Sequence, residues 1–245
     1  MRNQIASEFR KLTSTRSAFA MLLGLLAFTA FGVVGTITGQ NALDLAQPVA
    51  NQAFLSVPLL IVPLFALLLG IRSFTDEFRN GSIVPTLLAS PHRGRVLAAK
   101  LVTVATGGAV FVVASTALAL AIGVPMLMAE GVVVSWSASA MAEVVGRLLL
   151  TTILWTGIGV GLGLAVRHQV AAIAGALIWM IVGEGFLSGL VPDIARYFPG
   201  AAGYAVAGID GIGLLAPGIA AAVLAGYALV ATVTGGALMQ RRDIT

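Results

Sequence analysis

Six apolar runs dominate the chain, at about residues 18–38, 54–71, 101–124, 141–166, 170–190 and 217–239. Each is at or near the roughly 20 helical residues that cross a hydrocarbon core. The second is the shortest and carries Pro58 and Pro63, which membrane helices tolerate and which predict a bend. The fourth contains Gly-Ile-Gly-Val-Gly-Leu-Gly-Leu-Ala, so Gly157/Gly161 and Gly159/Gly163 each form a small-xxx-small pair that admits a close helix neighbour. Ahead of the first run, Ile5, Phe9 and Leu12 recur at i, i+4 and i+7, with Arg10, Lys11 and Arg16 among them. That pattern predicts an amphipathic helix over 1–16 lying in the interface, with a solvated basic tail as the alternative. The first run has full spanning length and five more come after it, so it reads as an uncleaved span rather than a signal peptide. Between the fifth and sixth runs, residues 190–217 are apolar but interrupted by Pro192, Pro199 and five glycines. This stretch is too broken to span, and Tyr197, Phe198 and Tyr204 suit an interfacial position. The predicted fold is all-α, a single polytopic membrane domain over 1–245 with six transmembrane helices.

Composition agrees with this pattern. The chain is 58% hydrophobic and 10% charged, where a soluble domain carries about a quarter of its residues charged. With no cysteine there is no disulfide, thiolate metal site or cysteine nucleophile. Of the 14 Lys and Arg residues, all but Arg147 and Arg196 fall in the N-terminal segment, the 72–100 connection, the turn at Arg167 or the C-terminal tail. The positive-inside rule then places both termini in the cytoplasm and accounts for the basic charge without nucleic acid.

The 72–100 segment is the anomaly, because Arg72, Asp76, Glu77, Arg79, Arg93, Arg95 and Lys100 are crowded into an otherwise apolar chain. Asn80-Gly81 is a turn signal, and Ser82 stands where it caps a short helix that tolerates Pro85 early and stops at Ser90-Pro91. On that helix Ile83/Leu87 and Val84/Leu88 are i, i+4 pairs, predicting an apolar ridge between charged flanks. Such a ridge marks a docking surface, or else an interfacial loop lying back on the membrane.

The run Glu-Phe-Arg-Asn-Gly-Ser-Ile-Val-Pro-Thr-Leu-Leu-Ala-Ser-Pro-His-Arg-Gly-Arg-Val-Leu-Ala-Ala-Lys, residues 77–100, resembles the cytoplasmic signature of type-2 ABC export permeases. The matching positions are Glu77, Arg79, Gly81, Ser82, Ile83, Thr86, Leu87, Leu88, Pro91, Arg93, Arg95 and Lys100. Pro85 and the spacing of the Pro-His-Arg-Gly-Arg run depart from the commonest pattern. The resemblance extends through the basic N-terminal helix, six spans and the Gln-Arg-Arg-Asp after the last. It implies a subunit of a bacterial cell-membrane exporter whose coupling helix, between spans two and three, seats on a separate ATPase. Asp76, Glu77, Phe78, Arg79, Gly81, Ser82, Ile83, Val84, Leu87, Leu88, Pro91, Arg93 and Arg95 are the implied coupling residues. It further implies short re-entrant outer helices between spans five and six, with an ordinary extracellular loop as the alternative. The implied complex has two ATPase copies and a second permease subunit, identical or different, with ATP and Mg bound by the ATPase.

The chain binds no nucleotide by the usual motif, because no Gly-Lys pair exists to form a P-loop. Its two histidines, His92 and His168, both sit at predicted cytoplasmic turns, which argues against hydrolytic or metal catalysis and predicts no cofactor of its own. The competing class is a secondary transporter or channel, which needs ionisable residues near the midplane and similar inverted halves. No internal repeat is visible. The few intramembrane charges are Glu143 and Arg147, at i, i+4, and Glu184. They are expected to form one outer cluster joining spans four and five, as a structural ion pair or as an outer gate or substrate contact. The remaining span surface is apolar with Ser, Thr and Gly, which favours a hydrophobic or amphipathic cargo such as a drug, a peptide antibiotic or a lipid.

Overall fold

The structure, a computed structural model, describes residues 2–40, 50–89, 93–132, 136–209, 211 and 213–241. Eleven α-helices are described in these segments: α1 (Arg2–Ser14), α2 (Arg16–Thr38), α3 (Ser56–Arg79), α4 (Ile83–Ala89), α5 (Arg93–Ala129), α6 (Ala138–Val166), α7 (Gln169–Ile178), α8 (Glu184–Leu190), α9 (Pro192–Ala195), α10 (Pro199–Ala207) and α11 (Pro217–Arg241). A 3-10 turn, Ala50–Leu55, precedes α3, and a π turn, Trp179–Gly183, joins α7 to α8. There is no strand among the described residues. Six helical stretches are long and apolar enough to cross a membrane: α2, α3 with the turn before it, α5, α6, α7–α8 and α11. The chain is a multi-pass membrane protein.

The centre of the bundle is α6, and its glycines explain why. Residues two apart on an α-helix point about 200° apart, so the pairs Gly157/Gly161 and Gly159/Gly163 lie on opposite faces. One face meets α3: a methyl group on Gly159 would strike the Leu67 carbonyl oxygen, and one on Gly163 that of Ile71. Gly70 of α3 returns the fit, since its Cβ would fall 2.5 Å from the Thr156 carbonyl oxygen. The other face meets α11, where a Cβ on Gly161 would strike the backbone of Ala231 and one on Gly235 would strike the Gly161 carbonyl. Three helices are therefore stacked backbone to backbone, and the close approach predicted for this run serves two neighbours. On the remaining flank, the buried hydroxyls of Thr29 on α2 and Ser115 on α5 share a 2.8 Å hydrogen bond.

Helices α3 and α5 run beyond the apolar stretches that announce them. The predicted second span ends near residue 71, yet α3 continues through Pro63 and past Arg72 to Arg79. The predicted third span begins at about 101, yet α5 starts at Arg93 and runs 37 residues, about 55 Å at 1.5 Å per residue. Hydropathy registers where lipid contact stops, whereas the backbone ladder continues while side chains such as Arg72 and Asp76 pair at i, i+4. What reads as a loop over 72–100 is mostly two helix ends bracketing α4.

Phe74, Ile83, Val160, Leu164 and Met239 form one buried cluster, so the C-terminal end of α11 sits beside α4 and the end of α3. Because α1 also packs there, both described termini share one end, the basal end; the opposite end is the distal one. Helices α2 and α7–α8 keep broad apolar faces exposed, including Phe19, Phe28, Phe31, Ile181 and Phe186, as lipid-facing helices do.

The glycine contacts generate a graded expectation. Gly159→Val and Gly161→Val force backbones apart and should each cost several kcal/mol, above the ~1–3 typical of overpacking because the obstructing atoms are main chain. Gly175→Ala, with open space around the added methyl, should change stability by less than about 1 kcal/mol. Thermal unfolding of the purified variants in detergent checks this, and equal melting temperatures across the three would contradict the packing described.

Candidate functional site

The charged residues that interrupt the apolar pattern are used at both ends of the bundle. At the basal end α3 stops in a Schellman turn: Gly81 adopts φ +65°, its N–H donates to the Phe78 carbonyl, and the Ser82 N–H donates to that of Glu77 at 3.0 Å. Gly81 is needed there, because an L side chain resists that φ. The turn sends the chain directly into α4 and drops Ile83 into the basal apolar cluster.

Shortly before this stop, Glu77 points inward. Glu8 and Lys11, at i, i+3, share a face of α1, and Lys100 lies two turns into α5. These four side chains close a ring of alternating charge. Lys11 Nζ is 2.8 Å from Glu8 Oε1 and 2.7 Å from Glu77 Oε1, while Lys100 Nζ is 2.7 Å from Glu8 Oε2 and 2.9 Å from Glu77 Oε1. Lys100 is 3% exposed and rests over the Phe74 ring at 5.0 Å. Two lysines against two glutamates leave no net charge, which is how such groups tolerate burial. Burial pushes the Glu8 carboxyl up, but Lys100 and then Lys11 outweigh it and hold it below its ordinary value. Burial likewise lowers the Lys11 ammonium, but Glu77 and Glu8 hold it above its ordinary value. Lys11 also reaches Thr86 Oγ1 of α4 at 3.3 Å. Helices α1, α3, α4 and α5 are thus joined at one point.

This geometry revises several expected coupling roles. Glu77 is buried in the ring and Ile83 in the core, so neither belongs to an outward ridge; both hold α4 in place. Val84 and Leu88 are the exposed apolar positions, at 42% and 79%. Asp76 stands between Arg72, at 3.1 Å, and Arg79, at 3.6 Å. Arg79 also donates to Gln169 Oε1 across to α7, and Phe78 lies beneath the Arg167 guanidinium at 5.0 Å. Ser82 is half-buried and Arg95 exposed. Pro91 lies outside the described residues, as do the side chains of Leu87 and Arg93. The sequence pattern does not single out Glu8. Its one signal is that it is the sole acid before Asp44, on a helix otherwise basic.

The distal end corrects the expected cluster of Glu143, Arg147 and Glu184. Arg147 does pair with Glu143, at 2.5 Å. Glu184 is elsewhere: its carboxylate accepts the Gly200 N–H at 2.9 and 3.0 Å on its two oxygens, with further hydrogen bonds from the Ala201 backbone and the Trp179 side chain. Two features separate the charges. The π turn immediately before Glu184 inserts a residue and re-aims the rest of the helix by about 100°. Helix α10 also lies between them, with Gly200 against Glu184 and Gly208 against Arg147 Nη1. Eight residues of helix span about 12 Å. The result is a clamp on α10: an anion at its N-terminus and a cation at its C-terminus, the arrangement its dipole favours. Both contacts are close, since a Cβ on Gly200 would displace Glu184 Oε2 and one on Gly208 would displace Arg147 Nη1, and Gly208 also holds φ +78°, which favours glycine. Asp210 lies outside the described residues.

Removing one member of the basal ring leaves a buried charge unmatched. Lys100→Met should therefore cost about 3–5 kcal/mol, and Lys100→Met combined with Glu77→Leu should recover part of it. For the lowered Glu8, the stabilisation is present above its ordinary value of 4.5 and lost as pH falls through its folded value. For the raised Lys11, it is present below 10.5 and lost as pH rises through its folded value. The ring's own contribution, read as the difference in melting temperature between the chain and its Glu8→Gln, Lys11→Gln double variant, should accordingly be flat from about pH 5 to 10 and fall on both sides; an optimum of that difference inside the interval would contradict the ring. At the distal end, Arg147→Ala and Glu184→Gln free opposite ends of the same helix and remove no ion pair with each other, so the double variant should be no more stable than the weaker of the two singles. Recovery of stability in the double variant would restore the single cluster.

Comparison with curated proteins gives no match. Comparison with protein families gives one, a family described as a protein of unknown function, DUF2705, across residues 17–245, which takes in all of the bundle except α1. That covers most of the chain, and the chain belongs to the DUF2705 family.

Proposed function

We propose that this chain is the membrane-spanning subunit of an ATP-driven exporter of hydrophobic or amphipathic compounds, working with a separate ATPase. The observation that carries the reading is α4. It is a short helix whose Ile83 is anchored in the core while Val84 and Leu88 face outward, and it is tied through Lys11 and Thr86 to the buried ring. An exposed apolar surface between charged turns is suited to a cleft in a partner protein. The resemblance of residues 77–100 to type-2 ABC permeases supplies the identity of that partner, an ATPase present in two copies that holds ATP and Mg. A second permease subunit, identical or different, completes the pathway. In this reading the basal end and both termini are cytoplasmic, α4 is the coupling helix, and α9 and α10 are the re-entrant outer helices.

The packing provides a route for force. A displacement of α4 is carried by Ile83 to Phe74 and by the ring to α1 and α5. Helix α3 then transmits it to α6, because their backbones are in contact at Leu67, Gly70, Gly159 and Gly163 and cannot slide without moving each other.

The test uses Leu88, whose replacement leaves the core intact. Photo-crosslinking from position 88 in the native membrane should capture a polypeptide bearing a P-loop, and Leu88→Asp should weaken ATPase retention on the purified chain. A central apolar contact is worth about 2–4 kcal/mol, roughly 30- to 1000-fold in affinity. Undiminished ATPase retention by Leu88→Asp at normal membrane levels would refute the proposal and favour a secondary transporter or channel.

A further inference from the structure

The distal end contains a cavity of about 780 Å³, bounded by α3, α6, α7–α8 and the short helices α9 and α10. That is within the range of small-molecule sites, roughly 300–1,000 Å³. Its walls are largely aliphatic, with Trp155, Phe198 and Tyr204 adding aromatic surface. Three charged side chains line it: Glu184, Asp193 and Arg196. Glu184 is the buried one, and its carboxylate is fixed by the α10 clamp rather than by a cation. Asp193 and Arg196 are exposed, and the Arg196 guanidinium stacks over Tyr197 at 5.3 Å. The lining is therefore net acidic, and its one buried charged residue is a glutamate.

We infer that this cavity binds a lipophilic organic cation, with its charge at Glu184 and its apolar body among Trp155, Phe198 and Tyr204. The Glu184 carboxylate is held by neutral donors, Gly200 on both oxygens with Ala201 and Trp179, so its charge has no cation opposite it among the described residues, and a phosphonium or quaternary ammonium, which donates no hydrogen bond, needs only to come near it. The carboxylate is already desolvated and oriented before the ligand arrives, and a cation entering supplies the full countercharge that helix dipoles supply only in part. Aromatic faces add attraction for an ammonium or phosphonium that an anion of the same shape does not receive. Such a ligand is amphipathic, so the inference deepens the transport reading by giving the cargo a charge. It rests on that reading only in calling the ligand a cargo.

The test compares tetraphenylphosphonium with tetraphenylborate, ions of the same shape and opposite sign, on the full chain in phosphatidylcholine nanodiscs, with empty nanodiscs as the blank. Tetraphenylphosphonium should quench tryptophan fluorescence saturably and tetraphenylborate should not, and Glu184→Gln should weaken the cation's binding roughly tenfold or more. Because that variant also loosens α10, a second measurement uses the unaltered chain. Dicyclohexylcarbodiimide labelling of Glu184, read by mass spectrometry, should be slowed several-fold by tetraphenylphosphonium and left unchanged by tetraphenylborate. Equal binding of the two ions, absence of saturable binding, or labelling indifferent to the cation would overturn the inference. No ATPase is present in these measurements, so their failure is distinct from failure of the crosslinking test at position 88.

Discussion

The contact of backbone with backbone along α6 is the constraint on which the rest of the bundle depends. In lipid there is no hydrophobic gain from bringing two apolar helices together, so association relies on dispersion and close fit. Gly159 and Gly163 against the Leu67 and Ile71 carbonyls, and Gly157 and Gly161 against Ala228 and Ala231, bring three helices near enough for that fit. With α3 held this way, its charged end has a defined height relative to α1 and α5. Glu77 can then meet Lys11 and Lys100 together.

The basal ring shows how a membrane protein retains charge where hydropathy would forbid it. Each lysine contacts both glutamates and the sum is zero, so burial is tolerated, while loss of any one member is costly. The ring also relates parts of the chain that differ in kind: an amphipathic helix, the end of one span, the start of another and, through Thr86, the short helix α4. The ring therefore fixes the position of α4 relative to α1, α3 and α5.

At the distal end the same kinds of charge serve a short helix instead. Glu184 and Arg147 secure the two termini of α10, which keeps α10 over a cavity whose inner wall is Trp155. The clamp satisfies Glu184 with two backbone donors and the Trp179 side chain, so the carboxylate is held without an ion pair among the described residues. That is unusual for an acid inside a membrane helix, where ionisable residues ordinarily pair or serve function.

Much of this architecture was legible in the sequence: the six spans, the amphipathic first helix, the turn at Asn80-Gly81, the short helix after it and the close packing along the glycines of α6. These arise from local chemistry, because apolar length, glycine's conformational freedom and i, i+4 spacing act within a few residues of themselves. The extensions of α3 to Arg79 and α5 back to Arg93 were not legible, since hydropathy reports contact with lipid and not the persistence of helix. Neither were the partners of the charges. Glu8 and Lys100 are 92 residues apart in the chain, and matching Glu184 to Arg147 depends on counting residues from the turn at 167–169. That count assumes regular helix, which the π turn at Trp179–Gly183 breaks, and it leaves out α10, which occupies the space between. Sequence determined which segments cross the membrane and where charge interrupts them; tertiary structure alone decided which charges meet, because pairing depends on three-dimensional height and facing that local spacing does not encode.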